Sequence, residues 1–345
     1  MNAPVWSALR EHRHLLVPAA LVAILLAVAA VRVPQLFTGS GLAGAVLVAA
    51  PLILAAMAIT PIALAGRGGV DLSIGPAIGF VNVTLVTWLV SLGVEHPLAV
   101  FAYAVLAGCL WQAALAALIV YVRISPIIAS LAGFMILQGV NLVILPRPGG
   151  IAPDWLSDWG YGTTLFGPVL GVLIAAFVLW FGFTRTALFA HLQLVGADER
   201  TAYTAGIDVN AVRFAAHLVA GVLLGLAAIC QTGLIGSGDP SQGNTLTLQA
   251  ITALVLGGTS LAGGRGGASG SVLGAIAMYL VFVVLSSFNF GAVSGFMTQM
   301  SYGLILVLSL LLSLVVGRGR GRGADSASVS RTPRSAVPNV AGAAP

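Results

Sequence analysis

Lysine is absent from these 345 residues, so every one of the 15 basic side chains is an arginine. The absence excludes a phosphate-binding loop of the G-x-x-x-x-G-K-[ST] kind, which needs its lysine on the nucleotide phosphates. It also excludes Schiff-base chemistry. Charge of either sign is scarce, at 7% of residues, where soluble domains carry about a quarter. The two cysteines, Cys109 and Cys230, both sit in apolar runs. They read as small core residues rather than a disulfide or metal pair. The five histidines, His12, His14, His96, His191 and His217, form no ligand spacing. The strict apolar/polar alternation of a membrane barrel is missing.

What is present is apolar: 59% of the chain is hydrophobic and the mean hydropathy is +1.04. Runs long enough to cross about 30 Å of hydrocarbon follow one another. Backbone groups in lipid must be satisfied within the segment, so the spans are helices. The expected architecture is an all-α, polytopic membrane bundle of about ten spans. Their limits are 15–32, 42–65, 72–93, 97–121, 126–145, 168–183, 212–235, 247–262, 270–288 and 297–316. The first run follows His12-Arg13-His14 and has no small-residue cleavage site after it, so it reads as a retained helix. With residues 1–14 cytoplasmic, the inner segments hold Arg10, Arg13, Arg67, Arg123, Arg185, Arg200, Arg213, Arg265 and the five tail arginines, against Arg32 and Arg147 outside. That asymmetry puts both termini inside. The tail, 317–345, is rich in Gly, Ala, Ser, Pro and Arg. It is expected to be disordered and to attract anionic lipid headgroups.

Two hydrophilic segments interrupt the spans. The outer one, 146–164, carries Asp154, Trp155, Asp158, Trp159 and Tyr161. It suits either an interfacial anchor or a docking surface for an external partner. The inner one, 184–212, contains a short helix with Asp198 as its N-cap and Gly206 as its stop. It reads either as a connecting loop or as a contact for a soluble partner.

Two glycine-rich breaks echo each other. Leu64-Ala65-Gly66-Arg67-Gly68-Gly69 matches Leu261-Ala262-Gly263-Gly264-Arg265-Gly266-Gly267 with one inserted glycine, and a serine follows four residues later in each, Ser73 and Ser271. Paired interruptions of this kind point to two related halves. Asp71, in the first break, is expected to cap the following helix or to pair with Arg67. Gly267-Ala268-Ser269-Gly270 fits the pattern of an intramembrane serine protease, but no histidine follows His217 to serve as a later base. Polar residues in or beside the spans, Asn82, Thr84, Thr87, Gln112, Gln138, Asn141, Gln231, Gln249, Thr252, Asn289 and Gln299, are all neutral. Ion-coupled carriers generally use buried carboxylates. Neutral amides and hydroxyls suit either a path for an uncharged polar solute or interhelical hydrogen bonds.

At Gly68-Gly69-Val70-Asp71-Leu72-Ser73-Ile74-Gly75 the chain resembles the permease subunits of ribose/xylose-type bacterial ABC importers. Ser125 to Gly133, Val195 to Val209 and Leu256 to Gly266 resemble further family segments in the family's order. The resemblance covers about residues 40 to 316. Ala197-Asp198-Glu199 departs from the family's usual Gly-Asn-Pro, and Thr247 and Gln249 stand where acidic residues are expected.

The resemblance implies a non-enzymatic transport subunit for a monosaccharide or similar small polar solute, in the bacterial inner membrane. It implies a second permease subunit, cytoplasmic ATPase subunits that bind ATP and Mg, and an external solute-binding protein, with no cofactor on this chain and no nucleic-acid partner. Asp198, Glu199, Arg200, Thr201, Tyr203 and Gly206 would form the ATPase-coupling loop. Arg67, Gly68, Gly69, Asp71, Ser73, Gly264, Arg265 and Gly266 would form an inner-face signature in which Arg67, Asp71 and Arg265 brace helix ends against that loop. Asn82, Gln138, Asn141, Gln249 and Thr252 are the candidates for the path. The alternative is a self-sufficient secondary carrier or channel.

Overall fold

A computed structural model describes residues 13–162, 164–241, 243–288, 293, 295–309 and 311. The N-terminal segment before residue 13 and the tail after 311 lie outside them, as does the end of the tenth apolar run.

The described residues are helical, with one isolated β-bridge between Gly149 and Gly238. In chain order the helices are α1 (Arg13–Arg32), α2 (Gly39–Leu64), α3 (Ile74–Thr84), α4 (Pro97–Val120), α5 (Pro126–Ile144), α6 (Pro168–Thr184), α7 (Ala187–Ala197), α8 (Glu199–Thr204), α9 (Val209–Ile235), α10 (Gly243–Leu256), α11 (Ala268–Ser286) and α12 (Gly295–Ser309). A π-helical turn, Leu85–Leu89, extends α3.

The starts and stops follow local chemistry. Proline at the first helical position, whose missing N–H costs a helix nothing, opens α4, α5 and α6. Thr38 caps α2 by accepting from Gly41 N at 3.1 Å. Asp208 caps α9 by accepting from Asn210 N and Ala211 N, both at 3.0 Å. Gly236, at φ +63°, ends α9 in the left-handed conformation glycine tolerates.

Each of the ten apolar runs carries a helix, but they differ in reach. Six helices, α1, α2, α4, α5, α9 and α11, are long and apolar enough to cross a membrane, and α6 with α7, bent by 74°, makes a possible seventh. The helices α3, α10 and α12 are shorter. Hydropathy alone counts the glycine and hydroxyl residues of the neighbouring breaks as membrane interior, which is why the runs 72–93 and 247–262 look longer than their helices.

Helices α2 and α9 form the centre, with most of their residues buried, whereas α1 is a peripheral helix with few buried residues. The α9 helix packs against α4 and α2, and α11 against α10, α1 and α2. Small residues permit the closest crossings. A Cβ on Gly225 would press on the Ala104 carbonyl, and one on Gly221 would press on the Cys109 backbone. In the 146–164 segment, Trp155 stacks on Phe101 at 6.4 Å and donates its indole N–H to the Glu95 carbonyl at 2.7 Å. Trp159 lies against Trp155 at 5.7 Å. This segment is therefore folded back over the bundle, with its paired tryptophans facing protein.

Candidate coupling and translocation site

The first glycine break is a deep one. Residues 65–73 are non-helical between α2 and α3, and irregular backbone at membrane depth is tolerated only where protein satisfies it. Here side chains do so. Ser130 donates to the Val70 carbonyl at 3.0 Å. Thr247 donates to the Leu72 carbonyl at 3.2 Å and accepts from Gly75 N at 3.0 Å. Asp71, 1% exposed, accepts from Ser73 N at 2.8 Å and from Ser73 Oγ at 2.6 Å. Its other oxygen accepts from Gln112 Nε2 on α4.

The chain of bonds continues across the bundle. Gln112 Oε1 lies 2.7 Å from His217 Nδ1 on α9. With the Gln112 nitrogen committed to Asp71, its oxygen accepts, so His217 carries its proton on Nδ1. Trp111 donates to Ser73 Oγ at 3.0 Å. Gln112 and His217 each lie eight residues from the nearer ends of α4 and α9, about 12 Å along a helix. Asp71 is thus two turns inside the bundle. It bonds Ser73 and Gln112 rather than Arg67, and its carboxylate lies at the start of α3, where a negative group suits the helix dipole.

The second break, 257–267, is bonded without any acid. Ser271, fully buried, shares hydrogen bonds with Thr60 Oγ1 of α2 at 2.8 Å and Thr259 Oγ1 at 3.5 Å. The Arg265 carbonyl accepts from Ser260 N at 2.9 Å, while the residue is exposed.

The segment that follows α6 joins the two breaks. Leu192 and Val195 of α7, Ala202 of α8, and Val209, Val212 and Ala216 of α9 form an apolar cluster with Leu64 and Ala65 at the end of α2. At its edge three glycine backbones meet. A Cβ on Gly196 would collide with the Leu64 carbonyl and lie 2.5 Å from Gly264 N. One on Gly263 would lie 2.5 Å from Gly66 Cα and 2.7 Å from the Gly196 carbonyl. Gly264 N donates to the Leu64 carbonyl at 3.0 Å.

Charge fixes the next residues. Asp198 caps α8, accepting from Arg200 N at 2.9 Å and from Thr201 Oγ1 at 2.8 Å. Those hydrogen bonds, the Thr201 hydroxyl first, hold its carboxyl below the ordinary value. Glu199 accepts from Arg213 Nη1 and Nη2, at 3.2 and 2.9 Å, and lies 3.8 Å from Arg67 Nε. The Arg213 hydrogen bonds pull its carboxyl down against partial desolvation. An open cleft of about 1200 Å³ runs beside this pair, lined by Asp198, Arg200, Tyr203, Gly206, Asp208 and Asn210.

Residues 41–316 match the family model described as the permease component of the branched-chain amino acid transport system. The chain belongs to this permease family. It is 29% identical to the ribose import permease protein RbsC of Bacillus subtilis over 251 residues, 70% of this chain and 75% of that one. It is 27% identical to RbsC of Escherichia coli K12 over 296 residues, 83% and 89% of the two chains. It is 28% identical to the autoinducer 2 import system permease protein LsrD of Escherichia coli HS over 251 residues, 70% and 74%. No solved structure matches.

Within this permease the path candidates divide. Asn82 spends its amide on Thr232 Oγ1 at 2.9 Å and the Ser237 carbonyl at 3.0 Å, while its oxygen accepts from Asp239 N at 2.9 Å. Asn141, fully buried, donates to the Pro76 carbonyl at 3.0 Å, and Thr252 donates to the Leu248 carbonyl at 2.6 Å. The two asparagines bind helices together, whereas the Thr252 hydroxyl is spent on its own helix. Gln138 is half-buried, and Gln249 lines a cavity of about 470 Å³ with Phe282, Phe296, Gln299 and Tyr302.

Sequence reasoning missed Trp111, His217, Gly196 and Arg213 as site residues and treated Gln112 as one of many neutral groups. Only the α7 helix had a readable signal: Thr186, which caps it by accepting from Phe189 N at 3.4 Å, followed by Leu188, Phe189, Leu192 and Val195 at helical spacing.

Proposed function

We propose that this permease is the membrane-spanning subunit of an ATP-binding-cassette importer, carrying a monosaccharide or similar small polar solute inward by alternating access. Its relatives are named for ribose and autoinducer 2 import, and its half-buried path candidates, Gln138 and Gln249, suit a neutral, hydroxyl-rich solute. The reading includes a bundle of about ten crossings in two related halves, with α2–break–α3 corresponding to α10–break–α11. Both termini lie inside, an inner 184–212 segment meets the ATPase, and the outer 146–164 segment faces the solute-binding protein. ATP and Mg belong to the partner ATPase subunits, and a second permease subunit completes the path.

The observation that carries this reading is the meeting of Gly196 with both glycine breaks. A push on α8, at exposed Tyr203 and Arg200 beside the open cleft, would reach the end of α2 and the second break through the backbone at Gly196 of α7. Arg67 and Glu199 brace the same joint, while Asp71 holds the start of α3 from within.

The test is reconstitution in liposomes with the cognate ATPase and binding protein. Solute uptake and solute-stimulated ATP hydrolysis are expected only with all components present. Tyr203→Ala is expected to lower both about tenfold, the loss typical of a central contact residue. Uptake by the purified chain alone would establish the secondary-carrier alternative.

A further inference from the structure

Three arginines from three separate segments converge on one small cavity. Its volume is about 300 Å³, and Arg67, Arg123 and Arg213 line it together with Ser125, Ile119 and Ile124. Arg67 and Arg123, at φ +57° and +62°, are the two non-glycine residues with positive φ among the described residues. That left-handed conformation is costly for a long side chain, yet both strained positions face the same space. Arg213 is 7% exposed, and its Nε is buried without a hydrogen-bond partner. Ser125 precedes α5, a 19-residue helix, and makes no side-chain cap bond, and Ser125 and Pro126 line the cavity, which places the positive end of the α5 dipole beside it. Glu199 touches Arg213 and Arg67, which leaves one carboxylate for three guanidinium groups. The excess of cationic groups favours an oxyanion.

The surroundings indicate where the oxyanion comes from. Tyr121, Val122, Ile127 and Ile128, on either side of Arg123, are large and exposed, at 50 to 67%. Such a rim faces acyl chains rather than water, while Ile119 and Ile124 give the cavity an apolar wall beside its cationic one. We propose that this cavity binds the phosphate of an anionic phospholipid headgroup, which seats the α4–α5 turn and the first glycine break at the membrane surface. Basic pockets between membrane helices are suited to such headgroups. The orientation proposed above determines the leaflet, which is the inner one.

The experiment measures lipid retained on the full chain by native mass spectrometry from mixed phosphatidylglycerol and phosphatidylcholine, without ATPase or solute, so its failure is distinct from a failure of the transport reading. Wild type is expected to retain phosphatidylglycerol selectively. Arg123→Gln is expected to lower that retention about fivefold and Arg123→Lys to restore most of it, since each cation near an anionic surface contributes on the order of 1 kcal/mol. A parallel titration with inorganic phosphate in neutral detergent separates the two sources. Arg123-dependent binding of phosphate without selective lipid retention would overturn the lipid source, and absence of both would overturn the site. Release of the lipid on addition of the ATPase subunits would give the arginines to a protein acid and likewise overturn the proposal.

Discussion

The two glycine breaks share a sequence pattern and differ in depth. The first runs into the bundle, where Asp71 is sealed among Ser73, Gln112 and, through Gln112, His217. The second lies shallow, with exposed Arg265 and a set of neutral hydroxyls, Thr60, Thr259 and Ser271. One correspondence survives the difference. Ser73 and Ser271 are both fully buried, and each links its break to a neighbouring helix, α4 through Trp111 and α2 through Thr60. A shared glycine pattern therefore specifies where the chain leaves the helix and which serine clips it back. The acid decides how far the non-helical backbone can enter the bundle.

That contrast is open to test, most severely at the two charged residues. Asp71→Ala strands the Ser73 and Gln112 donors in a buried site, at about 1–3 kcal/mol each, so resistance to denaturant-induced unfolding should fall steeply. Arg265→Ala, at an exposed position, should change it by no more than about 0.5 kcal/mol. Equal losses in the two variants would erase the distinction between deep and shallow breaks.

A smaller effect separates two glycines. Gly196→Ala forces a methyl group into the Leu64 carbonyl and should cost about 1–3 kcal/mol, as overpacking does, with uptake suppressed. Gly267→Ala meets nothing within 4 Å and has extended backbone at φ 168°, so uptake and unfolding should be close to wild type. A silent Gly196→Ala would show that the joint has room the geometry denies it.

The smallest effect is one of pH. Asp198 and Glu199 both have lowered folded values. Their contribution is therefore fully present above the ordinary carboxylate values of 3.8 and 4.5 and is lost as pH falls below them. Spin labels at Tyr203→Cys and Arg265→Cys should give a constant distance distribution from pH 8 to 5 that broadens at lower pH. Broadening between pH 7 and 6 would place control of α8 in a histidine instead.

The sequence made the helices legible because lipid leaves the backbone no other choice, and because Pro97, Pro126 and Pro168 mark three starts. The Asp198 cap and the Gly206 stop, at φ +82°, were readable for the same local reasons. Depth was not readable. Nothing near Asp71 in the chain announces Gln112 or His217, which arrive from α4 and α9, and hydropathy cannot distinguish a glycine in a crossing helix from one in a buried break. The path candidates suffered likewise. Asn82 and Gln249 look alike as neutral amides, yet tertiary placement closes one into three hydrogen bonds and leaves the other beside a cavity.

The joint of Gly66, Gly196 and Gly263 has a mechanical consequence. Side chains have rotamers, and a contact between two of them can absorb a displacement of an ångström by swivelling. Three backbones in direct contact have no such slack. In the proposed coupling, a rigid movement of α7, which carries Gly196, would be passed on without play, like a pinned lever rather than a spring. For a machine that must convert a short stroke at one surface into the opening of another, the useful property of these glycines is less their flexibility than the stiffness they allow.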